Sequence, residues 1–157
     1  MTLLLALYLS LAASAESLSG KVTSIRDGST IELKDDAGNL HQLRLLGILV
    51  PTAGGYGQDA ARNNLEQLIL DKSVTFNWEK EASKCKDGAK CIKAGKLLLD
   101  GQDINLKLIN VGYARHDKSA MAYQSTPDRT TYTEAEDAAR KSGLGFWNQT
   151  RRPASVP

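Results

Sequence analysis

The feature that most narrows the fold is the order in which the hydrophobic period changes along the chain. Three short β-type runs come first, a stretch at helical spacing follows, two more β-type runs come next, and helices close the sequence. The first run begins after Gly20, where Val22, Ser24 and Arg26 alternate with Lys21, Thr23 and Ile25. Asp27-Gly28 is a tight-turn dipeptide, and Thr30–Leu33 returns as a second strand. A further turn over Asp36–Asn39 leads into a third strand over His41–Ile48.

Pro51 to Gly57 is a loop by composition, with Gly54, Gly55 and Gly57. From Gln58 the period changes, since Ala61, Leu65, Leu68 and Ile69 fall on one helical face. Ser73–Trp78 reads as a fourth strand and Lys96–Leu99 as a fifth. Asp103 is placed to cap a helix that runs through Leu106, Leu108 and Ile109 to Val111, with Gly112 as its stop. Tyr123–Arg129, which contains Pro127, reads as an irregular connection. Thr131 or Thr133 then caps a last helix through Ala135, Ala138 and Ala139, ending at Gly143. Five strands, with a helix after the third and helices at the end, suggest a small barrel closed by helices. A five-stranded OB barrel is one solution of that kind.

Composition excludes disorder and a fibre, because 41% of the 157 residues are hydrophobic and 24% charged. Twenty Lys and Arg against 18 Asp and Glu leave a net charge of +2, too small for a whole-molecule pull on nucleic acid or anionic lipid. Leu3–Ala13 is almost unbroken apolar sequence, too short to span a bilayer, and Ala13-Ser14-Ala15 has the small residues of a cleavage site. The expected organisation is a signal peptide over residues 1–15, a domain over 16–150 and a flexible tail over 151–157. That places the mature protein in the periplasm or outside the cell, with no membrane attachment; the alternative is a buried N-terminal helix. Cys85 and Cys91 flank a turn-forming stretch and are the only cysteines, so an oxidising compartment favours a short-loop disulfide over two free thiols. His41 and His116 lie in no ligand-spaced motif that would suggest zinc.

Six segments in order carry a resemblance: Val22–Leu33, Leu43–Ile48 followed by Pro51, Gly57–Ala60, Leu99–Leu106, Asn110–Ala114, and Tyr132 through Gly145-Phe146-Trp147. Together they resemble the thermonuclease (staphylococcal nuclease-like) family. The resemblance implies a β-barrel with α-helices, specifically a five-stranded OB barrel with three helices. In active members it implies a calcium-binding carboxylate after the Asp-Gly of the first hairpin and an arginine in strand three. It further implies an Asp-x-Pro-Glu segment at that strand's end and a second arginine in the next hairpin. The chemistry explains those types: calcium takes hard, preferably anionic oxygens, the attacking water needs a base, and developing phosphoryl charge needs guanidinium donors.

This sequence departs from the pattern at most of those positions. The hairpin carboxylate position holds Ser29, and the Asp-x-Pro-Glu segment reads Leu49-Val50-Pro51-Thr52. The second arginine position, counted back from Asp100-Gly101, falls at Ile92, beside Lys93. Arg44 alone is retained, either as a phosphate ligand or as an inward-leaning arginine paired with Asp27 or another carboxylate. Lys84, Lys86, Lys90, Lys93 and Lys96 form a basic run, either a binding finger centred on Lys90 and Lys93 or a solvated hairpin. Trp78, Phe146 and Trp147 read as core or docking residues, and Tyr113 or Tyr123 as a possible base-stacking ring. The expectation is an exported, catalytically inactive domain that binds nucleic acid or a protein and needs no cofactor. The alternative is a divergent metal-dependent nuclease acting on DNA or RNA near Asp27 and Arg44, the one case in which calcium enters.

Overall fold

The computed structural model describes residues 16–79, 82–83 and 92–148. The signal-peptide span, Cys85, Cys91, Lys90 and the tail 151–157 lie outside the described residues. The sheet strands are β1 (Glu16–Ile25), β2 (Thr30–Asp35), β3 (Leu40–Leu45), β4 (Ile48–Leu49), β5 (Ser73–Trp78), β6 (Lys93–Leu99), β7 (Gln102–Asp103) and β8 (Arg115–His116). The helices are α1 (Gln58–Ile69), α2 (Ile104–Asn110) and α3 (Thr126–Lys141), with a short 3₁₀ turn over Lys118–Tyr123.

The barrel runs β3-β2-β1-β5-β6, and β6 returns to pair with β3 in parallel, with Arg44 opposite Ala94. Closure leaves none of these five strands with a free edge. It works because each strand alternates inward apolar side chains: Ile31 and Leu33, Leu43 and Leu45, Val74 and Phe76 are all buried. In β1 the simple alternation fails. Val22 and Ile25 both face the core because the register with β2 shifts between Val22 and Ser24, a bulge that moves the following residues to the other face. β1 also begins earlier than its own sequence suggests, since Glu16–Lys21 pairs with β5. Leu65 and Ile69 of α1, Ile104 and Leu108 of α2, and Tyr132 of α3 complete one core.

Asn105 closes the barrel end from α2. It is fully buried, accepts from Leu97 N–H at 3.1 Å, and donates to the Leu46 and Gly95 carbonyls at 2.9 and 3.1 Å. The Asp103 carboxylate caps α2 by accepting from Leu106 N–H at 3.0 Å and receives the Tyr132 hydroxyl at 2.8 Å. Burial, and then the Asp103 charge, push the Tyr132 phenol well above its ordinary pKa.

Helix α3 corrects the sequence reading. It starts at Thr126, not at Thr131 or Thr133, and Ser125 caps it by accepting from Asp128 N–H at 3.2 Å. Pro127 occupies the first turn, where its missing N–H is no loss and its fixed φ suits the helix. No helix among the described residues is long and apolar enough to cross a membrane.

Candidate functional site

The first hairpin sets the position of Ser29. The Asp27 carboxylate accepts from the Ser29 backbone N–H at 2.7 Å and from its hydroxyl at 3.0 Å, closing an Asx turn. Ser29 is buried, and its carbonyl accepts from Leu45 N–H at 2.8 Å, which ties the turn to the end of β3. The one acid beside the retained arginine's strand is thus engaged in local turn structure.

Arg44 projects from β3, opposite Thr30 of β2. It is exposed rather than inward-leaning, and it pairs neither with Asp27 nor with any other carboxylate among the described residues. It lines a cleft of ≈ 230 Å³ together with Gly47, Asp117, Ser119 and Tyr123. Gly47 has a φ of 78°, and a Cβ there would collide with the Gln124 side-chain amide, so a glycine is required where the chain turns from β3 into β4. Asp117 is held by Ser119, whose N–H and hydroxyl donate to it at 3.0 and 2.6 Å. Tyr123 is 44% exposed and offers a free ring face beside Arg44.

The other substituted positions supply no acid. Leu49 sits in β4, paired with Arg115 of β8, and is 46% exposed. The Thr52 carbonyl accepts from Gly55 N–H at 2.8 Å, and its side chain is exposed in the loop before α1. Ile92 immediately precedes β6, and Lys93 lies with its ammonium 5.0 Å from the centre of the Trp78 ring. Lys93 is in register with Leu43, so Arg44 and Lys93 occupy neighbouring rungs of the parallel pair. Lys96 leaves the basic run: its ammonium lies 2.6 Å from Asp128 and 3.6 Å from Asp103.

Calcium does not fit this donor set. Among the described residues no group of three or more His, Cys, Asp or Glu side chains stands close enough together to hold a metal ion. Ser29, Leu49 and Thr52 bring no anionic oxygen, and a calcium site takes six to eight oxygens at about 2.3–2.6 Å.

A sequence model of the family described as staphylococcal nuclease homologue matches residues 42–149, from the middle of β3 to just past the last described residue. The chain belongs to the staphylococcal nuclease family. No curated protein matches it. The barrel with its three helices is the arrangement the family resemblance implies.

Two features of the site lay beyond the sequence reading. His116 is 3% exposed, with Nδ1 3.1 Å from the Thr133 hydroxyl oxygen and Nε2 2.9 Å from the Gln124 side-chain amide. The Thr133 hydroxyl donates to the Arg129 carbonyl at 2.8 Å, so Nδ1–H donates to Thr133. This fixes β8, and the Leu49–Arg115 pair with it, against α3. The second feature is a groove beside Leu49, bounded by Phe146 from the far end of the chain.

Proposed function

We propose that this family member is an exported, non-cleaving module that binds single-stranded nucleic acid at the barrel end around Arg44, Tyr123 and Lys93. The observation that carries the reading is an exposed arginine without a carboxylate partner among the described residues, on a scaffold whose family carboxylate positions hold Ser29, Leu49 and Thr52. An unpaired guanidinium suits a phosphate oxygen, and an exposed tyrosine ring suits an unstacked base. Without a metal cage and without a base near Arg44, hydrolysis loses both its electrophile and its proton acceptor. Loss of a general base alone typically lowers a rate by about 10²–10⁴-fold. Export is supported by the apolar Leu3–Ala13 run and the Ala13-Ser14-Ala15 site.

The test incubates mature protein with labelled single- and double-stranded DNA and RNA in calcium, magnesium or EDTA, following cleavage and anisotropy together. Binding without cleavage is expected, weaker in Arg44→Ala, with a salt slope lowered by about 0.7 for the lost single-strand phosphate contact. Metal-dependent cleavage abolished by Arg44→Ala overturns the reading in favour of a divergent nuclease. A salt slope near zero removes phosphate contacts and points to a protein partner. Mass spectrometry of the exported chain checks the rest, with Glu16 expected first and the Cys85–Cys91 disulfide two hydrogens lighter than the dithiol.

A further inference from the structure

Replacement of the family's acids creates an apolar surface. Leu49, Val50 and Pro51 form one wall of a groove of ≈ 640 Å³ whose opposite side is Phe146, with Tyr56 at the rim. Leu49 and Tyr56 are 46% and 44% exposed, so this is large apolar area left in contact with water. Through Gly55, Tyr56 and Phe146 the groove continues into a second one of ≈ 390 Å³ that runs over the start of α1 to Tyr113. The floor is preformed. The Phe146 ring meets Tyr113 edge-on at 5.6 Å, and Phe146 N–H donates to the Gly112 carbonyl at 2.9 Å. A Cβ at Gly57 would lie 2.5 Å from the Phe146 ring, so the glycine allows the ring to seat against the first turn of α1.

The charge along this channel is sparse and specific. Arg115 is the only charged residue lining the first groove, and Asp59 the only one lining the second. The Arg115 guanidinium lies 5.7 Å from the centre of the Trp147 ring and has no carboxylate partner among the described residues. The channel thus presents apolar seats with one oriented cation beside them. A nucleic acid places a phosphate on every nucleotide and would need several cations along its path. An extended polypeptide sends alternate side chains to opposite sides, so apolar side chains can fill the seats while a neighbouring carboxylate reaches Arg115.

We infer that this channel docks an extended acidic segment of a partner protein, with apolar side chains in the Leu49–Phe146 groove and a carboxylate on Arg115. The surface is separate from the Arg44 cleft, and the inference does not rest on nucleic-acid binding there. The test is fluorescence anisotropy of mature protein with three labelled probes: a hexapeptide alternating leucine and glutamate, one alternating leucine and lysine, and a thymidine hexanucleotide. Saturable binding of the leucine-glutamate probe is expected, about tenfold weaker in Leu49→Asp and in Arg115→Gln. Both positions are exposed, and unchanged circular dichroism shows that the variants fold. In Arg115→Glu the preference should invert toward the leucine-lysine probe. The inference is overturned if neither peptide binds, if the two peptides bind equally, or if the hexanucleotide alone binds and Leu49→Asp weakens it.

Discussion

Replacing Asn105 with alanine removes the hydrogen bonds that hold the barrel end together. The buried side chain serves Leu97 N–H and the Leu46 and Gly95 carbonyls at 2.9–3.1 Å. Gly95 keeps a second donor, Leu46 N–H at 2.8 Å, so the smallest count strands two buried backbone groups. At about 1–3 kcal/mol for each stranded group, the expected loss is about 2–6 kcal/mol. That is a large share of the roughly 5–15 kcal/mol that stabilises a domain. With a urea m-value of about 2 kcal/mol/M, the midpoint should fall by about 1–3 M at unchanged m. Asn110→Ala, at the exposed end of the same helix, should stay within about 0.5 kcal/mol. Urea titration followed by circular dichroism reads both variants. If Asn105→Ala costs less than about 1 kcal/mol, the bonds assigned to Asn105 do not carry the closure. Leu46 lies between Arg44 and Leu49, so the same variant should also weaken any ligand bound at Arg44.

Two further outcomes follow from the ion pair in the second hairpin and from the cap of the last helix. Hydrogen bonds from His41 and from Asn39 N–H lower the Asp35 carboxyl from 3.8 to about 2, so its stabilising contribution is present above pH about 4 and lost as pH falls through about 2. Carbon-detected NMR should place the Asp35 midpoint near 2 and shift it back toward 3.8 in His41→Ala; a native midpoint near 3.8 contradicts the pairing. Ser125→Ala should cost about 1 kcal/mol in urea denaturation by removing the cap on Asp128 N–H, and an unchanged midpoint would mean that the cap contributes nothing.

The sequence was most legible where local and tertiary preferences agree. Ser73–Trp78 and the helix capped by Asp103 lie where periodicity and capping chemistry place them. Periodicity could not locate the bulge in β1, because a register shift exists only relative to β2. Pro127 suggested a break, yet proline is tolerated in a first turn, and the helix begins before it. Buried polar residues were the hardest to foresee. Glu136 is 5% exposed on α3, with Arg140 at 3.5 Å one turn on, and nothing in its sequence neighbourhood separates it from surface acids. The Arg44 position and its missing acid partners were readable by alignment with the family pattern, whereas its exposure was not. The channel was invisible for a different reason: Leu49 and Phe146 come from opposite ends of the domain, and only the fold brings them together.

Isothermal titration calorimetry of mature protein with calcium tests most directly whether the family's metal grip has gone. The account predicts no saturable heat up to about 1 mM calcium, the weak end of the range for natural calcium modules. A stoichiometric site tighter than that, lost in Asp27→Asn, would show that acids around Arg44 assemble into a cage after all.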